Sequence, residues 1–278
     1  MLVFFGNSVF SGTPALKIIS YNIYVGMKMD TSKGKTAFAN WVRKQQPDVL
    51  GLQEVTGFTQ ASLEKLAKSY GHAYAVLLVE GEKYPVAITS KFPITNVQKV
   101  TDNMDRGFIQ ATIKGKTFVV LHFSPFDYRT RRTEVDLLLA NVVHQPKIKD
   151  WIIMGDFNSF SAVDSMAYQD GRLVENLRKY EQKYAPIEKL IDGKIDYQVI
   201  DKMMNAGFYD ALKIKHSEFI KTVHPKRFEP KGSPDVPTRI DFIFVSKKSK
   251  NKVTNAEVLV DEFTDNFSDH YPMMMQLQ

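Results

Sequence analysis

The chain has 278 residues, of which 44% are hydrophobic and 24% are charged, proportions typical of a globular protein with a substantial buried core. The sequence contains no cysteine, which excludes a disulfide framework, a zinc–thiolate site and a cysteine nucleophile. Lysine and arginine outnumber aspartate and glutamate by 37 to 31, and this modest basic excess suits a polyanionic ligand without defining a function.

The N-terminal segment MLVFFGNSVFSGTPA is apolar at first, then small and polar, and no charge occurs before Lys17. This pattern resembles the apolar core and cleavage region of an export signal without its basic start. We therefore expect residues 1–15 to be the remnant of an export signal, which favours a periplasmic or secreted protein. The alternative is an N-terminal strand or tail on a cytoplasmic protein. No run of 18 or more apolar residues follows, so no transmembrane segment is predicted.

From residue 16 onward, short β-like runs alternate with segments of helical periodicity. Strands are predicted at 16–22, 47–55, 85–90, 108–113, 117–123, 151–156, 239–246 and 271–277. Several of these runs are apolar at nearly every position, which is typical of strands covered on both faces. Helices are predicted around residues 63–70, 135–143 and 199–204, where apolar side chains recur at helical spacing.

Two stretches lack clear periodicity. Residues 159–196 are polar and contain several tyrosines, and residues 222–238 contain four prolines. Long irregular segments in compact proteins are often lids or binding loops, so we expect both stretches to border the functional site. Neither has the composition of a linker, which predicts a single domain over residues 16–278.

Several predicted strands end in, or just before, a carboxylate, an amide or an imidazole. These strand-end residues are Asn22, Glu54, His122, Asp156, Asn158, Asp241, Asp269 and His270. Each one alone also fits an ordinary turn or surface role, because Asp and Asn bond readily to nearby backbone. Ligands at the ends of sheet strands are nevertheless common in α/β proteins. If the strand ends converge, the eight side chains share one site.

Four carboxylates in one small volume would repel one another and raise their own pKa values unless a cation kept them ionised. Carboxylate and amide oxygens are hard ligands, which favours Mg²⁺ or Mn²⁺ over zinc. Magnesium usually binds one or two protein carboxylates together with substrate phosphate, which leaves the other groups free for proton transfer. The pattern therefore favours metal-assisted hydrolysis of a phosphate ester.

The motifs SYN, LQEV, LHFSP, GDFNS, RIDFIFVS and SDHYPM occur in the order and spacing of the endonuclease/exonuclease/phosphatase superfamily. The chain resembles this deoxyribonuclease I-like superfamily over residues 16–278. The resemblance implies an α/β (α+β) fold, a four-layer α/β sandwich of two packed mixed β-sheets flanked by helices, with the site at one end. It also implies Mg²⁺, or Mn²⁺, as the cofactor.

The resemblance further implies a role for each strand-end residue. The implied metal ligands are Asn22, Glu54 and Asp269, with Glu54 as the principal one. Asp156 and Asn158 are expected to position the attacking water and the phosphate, and His122 to contact the scissile phosphate or assist the leaving group. Asp241 and His270 resemble the family's Asp–His pair, in which the carboxylate orients and charges the imidazole. Either Asp156 or His270 takes the water's proton.

Two departures from the AP endonucleases of this superfamily bear on the substrate. Tyr21 stands before Asn22 where those enzymes have Trp, and His122 is present on its strand. The resemblance therefore favours the deoxyribonuclease, sphingomyelinase or deadenylase branches. We predict a monomeric, Mg²⁺-dependent phosphodiesterase that cleaves nucleic acid. The alternatives are a phosphatase or phospholipase C-type esterase acting on a sugar phosphate, inositol phosphate or sphingomyelin-like substrate, and a non-catalytic binding protein.

Overall fold

Most strands of the protein belong to two six-stranded sheets, as shown by a computed structural model that describes residues 15–231 and 236–278. In chain order the strands are β1 (Leu16–Asn22), β2 (Val49–Gln53), β3 (Tyr74–Leu77), β4 (Ala87–Ser90), β5 (Thr95–Val100), β6 (Phe108–Ile113), β7 (Lys116–His122), β8 (Trp151–Asp156), β9 (Leu190–Ile191), β10 (Lys194–Ile195), β11 (Phe208–Asp210), β12 (Asp241–Ser246), β13 (Val253–Val258) and β14 (Met273–Leu277). The first sheet has the order β13-β14-β1-β2-β4-β3, and the second has the order β11-β12-β8-β7-β6-β5. Both sheets are mixed, because β1 and β2 run parallel, as do β7 and β8.

The helices lie mostly outside the sheets, and some of them begin at a side-chain cap. They are α1 (Tyr24–Met27), α2 (Thr36–Gln45), α3 (Gln60–Ser69), α4 (Tyr128–Val143), α5 (Arg172–Lys183), α6 (Gln198–Asn205), α7 (Ala211–Lys215), α8 (Lys247–Lys250) and α9 (Thr264–Phe267). At the start of α3, the Thr59 hydroxyl accepts from Ser62 N and the Ser62 hydroxyl accepts from Thr59 N. At the start of α4, Asp127 accepts from the backbone of Arg129. Both contacts satisfy backbone groups that a helix end leaves unpaired.

Three apolar clusters divide the molecule into layers. The central cluster lies between the two sheets and includes Ile18 and Met275 from the first and Val120 and Met154 from the second. The second cluster joins the first sheet to α2 and α3 through side chains such as Phe38 and Leu63. The third joins the second sheet to α4 and α6 through side chains such as Leu138 and Met203. The order of layers is helix, sheet, sheet, helix, and the predicted four-layer α/β sandwich is confirmed.

The two sheets approach closely at Gly51, in the middle of β2. A Cβ atom at this position would lie 2.7 Å from the terminal methyl group of Met154 on the facing sheet. Glycine in the interior of a strand often marks such a close approach. The glycine therefore permits the sheet-to-sheet contact that the apolar residues around it stabilise.

Strand register sets the position of the strand-end residues. On the second sheet, His122 pairs with Asp156 across β7 and β8, and Asp156 pairs with Asp241 across β8 and β12. On the first sheet, Asn22 pairs with Gln53, so that Glu54 follows directly beyond the end of β2. Each sheet thus places its polar strand ends side by side.

All eight predicted strands and all three predicted helices are present, with some ends displaced by one or more residues. The interpretation of residues 159–196 as irregular is wrong. This segment contains a 3₁₀ turn at Ala162–Tyr168, helix α5 and the β9–β10 hairpin. Helix α5 buries Leu173 and packs Leu177 only partly. Its apolar stripe is narrow because most of its residues are polar, and the helical periodicity is therefore hard to see in the sequence.

The predicted export-signal remnant lies, apart from Ala15, outside the described residues. Within the described ranges, none of the helices combines the length and the apolar character that a membrane crossing requires.

Candidate active site

The carboxylate of Asp156 is the point at which the strand-end side chains meet. Its Oδ2 atom lies 3.3 Å from His122 Nε2 on the neighbouring strand and 3.7 Å from His270 Nε2. The other ring nitrogen of His270, Nδ1, is 2.9 Å from Asp241 Oδ2. All four side chains are buried. The register of β7, β8 and β12 therefore builds a chain of contacts from His122 through Asp156 and His270 to Asp241.

The first sheet contributes Asn22 and Glu54 to the same cluster. Asn22 Nδ2 donates to Asp156 Oδ2 at 3.2 Å and to Glu54 Oε1 at 3.4 Å. The amide oxygen of Asn22 accepts from the backbone N–H of Tyr24 at 3.2 Å. Asn22 thus bridges carboxylates carried by the two different sheets.

Glu54 is held in place by a strained loop that follows β1. Its Oε2 accepts from Val25 N at 2.8 Å, and its carbonyl accepts from Gly26 N at 2.8 Å. Glu54 itself has a φ of 61°, and Val25 has a φ of 47°. A left-handed conformation is a genuine outlier for a β-branched residue such as Val25 and costs of order 1–3 kcal/mol. Strain of this kind clusters at functional sites, where the surrounding structure maintains it.

Asp269 and His270 are positioned by residues 222–224. The carbonyl of Asp269 accepts from His224 N at 3.1 Å, and Val223 forms a β-bridge with His270. The Thr222 hydroxyl accepts from the backbone N–H of Asp241 at 3.3 Å. The start of the proline-containing segment 222–238 therefore contacts the site, as expected from the sequence.

Asn158 fixes the second oxygen of Asp156. Its backbone N–H donates to Asp156 Oδ1 at 2.8 Å, and its amide nitrogen donates to the carbonyl of Phe123 at 2.9 Å. Gly155, before Asp156, lies within strand β8 and not at a turn. A Cβ atom there would lie 2.0 Å from the carbonyl oxygen of Leu121, so glycine is needed for β7 and β8 to pair at this end.

Charge is arranged as an imidazolium between two carboxylates. Burial opposes charge on His270, but the negative charges of Asp241 and Asp156 raise its pKa well above the usual value. Burial likewise opposes ionisation of Asp156, but the positive charge of His270 and the contact with His122 hold the pKa of Asp156 below its usual range. Burial raises the pKa of Asp241 despite the opposing charge of His270, and burial together with the charge of Glu54 raises the pKa of Asp269.

Two basic residues that the sequence did not single out lie in or near this cluster. Arg106, on the loop before β6, places Nη1 2.5 Å from His122 Nε2 and 3.9 Å from Glu54 Oε1. Lys189, from the segment 159–196, donates to the carbonyl of Pro125, and burial lowers its pKa to about 8 although the charge of Asp156 opposes this shift. Both residues stand alone in loops, and a single basic residue in a loop carries no distinguishing sequence signal.

The oxygen atoms of the cluster suit a hard divalent cation. The carboxylates of Glu54, Asp156 and Asp269 are the type of ligand that Mg²⁺ and Mn²⁺ prefer. In the part of the chain that the structure describes, a compact group of potential ligand atoms is formed by Asp156, Asp241 and His270, within 4.8 Å of one another. Within this group, His270 Nδ1 is already hydrogen-bonded to Asp241, so these three side chains form a hydrogen-bonded chain and not an open set of metal ligands.

The Endonuclease/Exonuclease/phosphatase family matches residues 19–270 of the chain. No curated protein sequence matches the chain. Similar solved structures include the 3′ phosphatase NExo from Neisseria bound to product DNA hairpin, with 18% identity, 95% of this chain and 100% of that chain covered, and a TM-score of 0.67. An AP endonuclease from Archaeoglobus fulgidus has 19% identity, 95% and 99% coverage, and a TM-score of 0.65.

A third similar structure is an endonuclease/exonuclease/phosphatase from Beutenbergia cavernae, with 15% identity, 95% of this chain and 72% of that chain covered, and a TM-score of 0.68. At these identities the likeness establishes the shared fold and does not choose among the branches of the superfamily. The match over residues 19–270 and the arrangement of strand-end carboxylates and imidazoles lead to one assignment. The chain belongs to the Endonuclease/Exonuclease/phosphatase family of phosphoric ester hydrolases.

Proposed function

We propose that the protein is a divalent-metal-dependent phosphodiesterase and that its substrate is nucleic acid. The observation that carries this proposal is the convergence on Asp156 Oδ2, which Asn22 Nδ2, His122 Nε2 and His270 Nε2 approach to 3.2, 3.3 and 3.7 Å. A buried carboxylate surrounded by an amide and two imidazoles can orient a water molecule against a phosphate and move its proton. A site used only for binding would not require this combination of groups.

The metal would be held by Glu54 and Asp269, with Asn22 as the third predicted ligand. When bound, Mg²⁺ or Mn²⁺ supplies Lewis-acid stabilisation of the negative charge that develops on the phosphoryl oxygens. The amide nitrogen of Asn22, and not its oxygen, faces Glu54 and Asp156, so the amide would have to turn over to offer its oxygen to a metal held there. In its present orientation, Asn22 donates to the carboxylates of Glu54 and Asp156 and fixes their relative position.

The remaining side chains position water and phosphate. Asp156 is fixed through both oxygens, so its carboxylate can orient the attacking water with little loss of entropy. Asp241 fixes Nδ1 of His270, which leaves Nε2 facing Asp156. Because His270 is protonated in this arrangement, Asp156 is the group that can accept the proton of the attacking water, and His270 can do so only after it has lost its own proton. His122, with Arg106 beside it, contacts the phosphate or the leaving group on the opposite side of Asp156.

Two observations support nucleic acid as the substrate. The net charge of +6 suits a polyanion, since basic proteins attract such substrates electrostatically. One of the similar structures is a 3′ phosphatase bound to a product DNA hairpin, and another is an AP endonuclease. Because identity is low in both cases, the substrate has to be established directly on the purified protein.

The decisive experiment is a substrate panel with Mg²⁺, Mn²⁺ or EDTA. Plasmid DNA, RNA, bis-p-nitrophenyl phosphate, p-nitrophenyl phosphate and sphingomyelin are supplied separately to the purified protein. We expect metal-dependent hydrolysis of the diester and of at least one nucleic acid, and loss of both with EDTA. Turnover confined to p-nitrophenyl phosphate would contradict the proposal in favour of a phosphatase, and turnover confined to sphingomyelin in favour of a phospholipase C-type esterase.

A further inference from the structure

A small cavity of about 160 Å³ adjoins the Glu54 and His122 side of the active site. Its lining residues are Glu82, Lys83, Tyr84, Asp105, Arg106 and Phe126. Arg106 belongs to both places, because its Nη1 atom contacts His122 and Glu54 while its guanidinium lies 4.3 Å above the ring of Tyr84. A group in this cavity is therefore close to a phosphate held at the active site. We refer to this cavity as the Tyr84–Phe126 pocket.

The loops that form this pocket are anchored to the residues of the active site. Val55 N, directly after Glu54, donates to Pro85 O at 2.8 Å, which fixes the loop that carries Tyr84. Glu134 on α4 joins the other two loops, because one carboxylate oxygen accepts from Asp105 N at 2.9 Å and the other from Ser124 N at 2.8 Å. The pocket is thus built into the same framework as the catalytic groups.

The lining combines aromatic surface with balanced charge. The side chain of Phe126 is 41% exposed and lines the pocket, so its ring is accessible to a group that enters. Two carboxylates, from Glu82 and Asp105, face two cations, from Lys83 and Arg106. With two charges of each sign in the lining, neither a second phosphate nor a quaternary ammonium group gains net electrostatic attraction there. The Tyr84 ring, which could bind a cation, already lies beside Arg106 and Lys83.

A flat heterocycle with hydrogen-bond donors and acceptors satisfies these conditions. Such a ring stacks on aromatic side chains and on guanidinium groups, and its polar edge can pair with both acidic and basic side chains. We propose that the Tyr84–Phe126 pocket binds the nucleobase next to the scissile phosphate. This inference rests on the proposed phosphodiesterase function and adds to it a site that selects nucleotides.

The test compares three p-nitrophenyl phosphodiesters that differ in the second alcohol, which is thymidine, ethanol or choline. Base stacking typically contributes enough binding to change efficiency about tenfold. We expect kcat/KM for the thymidine ester to exceed that for the ethyl ester by about tenfold, and we expect Phe126→Ala to bring this ratio close to one. Phe126→Tyr retains an aromatic ring and should keep most of the preference.

Tyr74→Ala is the matched control, because Tyr74 is also an aromatic residue that is 41% exposed but lies on β3 and not among the pocket residues. It should keep the wild-type ratio. Circular dichroism and the melting temperature show whether each variant is folded, and Phe126→Leu replaces Phe126→Ala if the latter is not.

A wild-type ratio near one, with the ethyl ester hydrolysed, would overturn the pocket proposal and leave the phosphodiesterase proposal standing. A choline-ester preference that Phe126→Ala removes would overturn it in favour of a head-group site. No turnover of any of the three esters would overturn both proposals.

Discussion

Asp156 is fixed by groups that come from distant parts of the chain. Asn158 N holds one oxygen, while Asn22, His122 and His270 surround the other. A local turn would need only the first of these contacts. Substitution of this one carboxylate therefore distinguishes a structural turn from a catalytic group.

We expect Asp156→Asn to fold and to lose roughly two to four orders of magnitude in turnover, the usual contribution of positioned acid–base catalysis. Asparagine can still accept from Asn158 N, but its amide cannot take a proton or balance the charge of His270. The measurements are kcat on bis-p-nitrophenyl phosphate and the melting temperature. Wild-type turnover in this variant would return the segment to the role of an ordinary turn.

For Glu54, we expect Glu54→Gln to lower Mg²⁺-dependent activity at least about a hundredfold, because the substitution removes a charged oxygen ligand and keeps the shape. The control is Glu64→Gln on α3, which makes the same chemical change at an exposed glutamate away from the cluster. Activity is titrated against Mg²⁺ for both variants. Unchanged activity and an unchanged Mg²⁺ midpoint in Glu54→Gln would show that Glu54 is not a ligand.

His72 makes fold stability depend on pH. Its ring nitrogens lie 2.8 Å from the Thr89 hydroxyl and 2.8 Å from the carbonyl of Pro47, and burial lowers its pKa to about 4 from the usual value of 6.5. The folded state therefore binds the proton less tightly than the unfolded state. The contribution of His72 to stability is fully present above pH 6.5 and is lost as the pH falls towards 4.

We expect this loss to reach about 3 kcal/mol near pH 4, from the 1.36 kcal/mol that corresponds to each pKa unit. The measurement is the free energy of unfolding in urea at several pH values for the wild type and for His72→Gln. The variant should show a smaller decrease between pH 7 and pH 4. Equal decreases in the two proteins would contradict the assignment.

At the scale of elements, strand β8 shows what the sequence could predict and what it could not. The run WIIMGD predicts β8 with the bounds that the structure has, because a strand buried on both faces is apolar at nearly every position. The pairing of Asp156 with Asp241 depends on strand order and register, which involve residues far apart in the chain. Edge strand β5 was missed because its side chains are mostly exposed and its sequence is polar.

The backbone of β7 leaves no space for a side chain at Gly155 in β8. We expect Gly155→Ala to destabilise the fold by about 3 kcal/mol or more, at the upper end for single substitutions, because the new Cβ atom would meet the backbone of Leu121. The control is Gly115→Ala, which also has a positive φ, of 71°, but has open space around it. The control should lose about 1 kcal/mol. Equal losses of unfolding free energy in urea would show that the contact with β7 relaxes easily.

At the scale of the whole molecule, the site belongs to neither sheet alone. The strand-end motifs and their resemblance to a family predicted eight candidate site residues and the layer architecture, and the layer architecture is confirmed. They did not predict Arg106, which enters the cluster, or Lys189, which lies near it, because both residues are carried by loops whose course depends on α4 and on the segment 159–196. The roles of the eight residues remain predictions that the substitutions above will test.

The position of β14 has a consequence for synthesis of the protein in the cell. This strand pairs with β1, Leu277 lying opposite Leu16, and it completes the first sheet between β1 and β13. Asp269 and His270 immediately precede it. A nascent chain still on the ribosome before residues 269–277 have emerged lacks both a predicted metal ligand and one imidazole of the cluster. The cluster of strand-end side chains is therefore complete only after residues 269–277 have been synthesised.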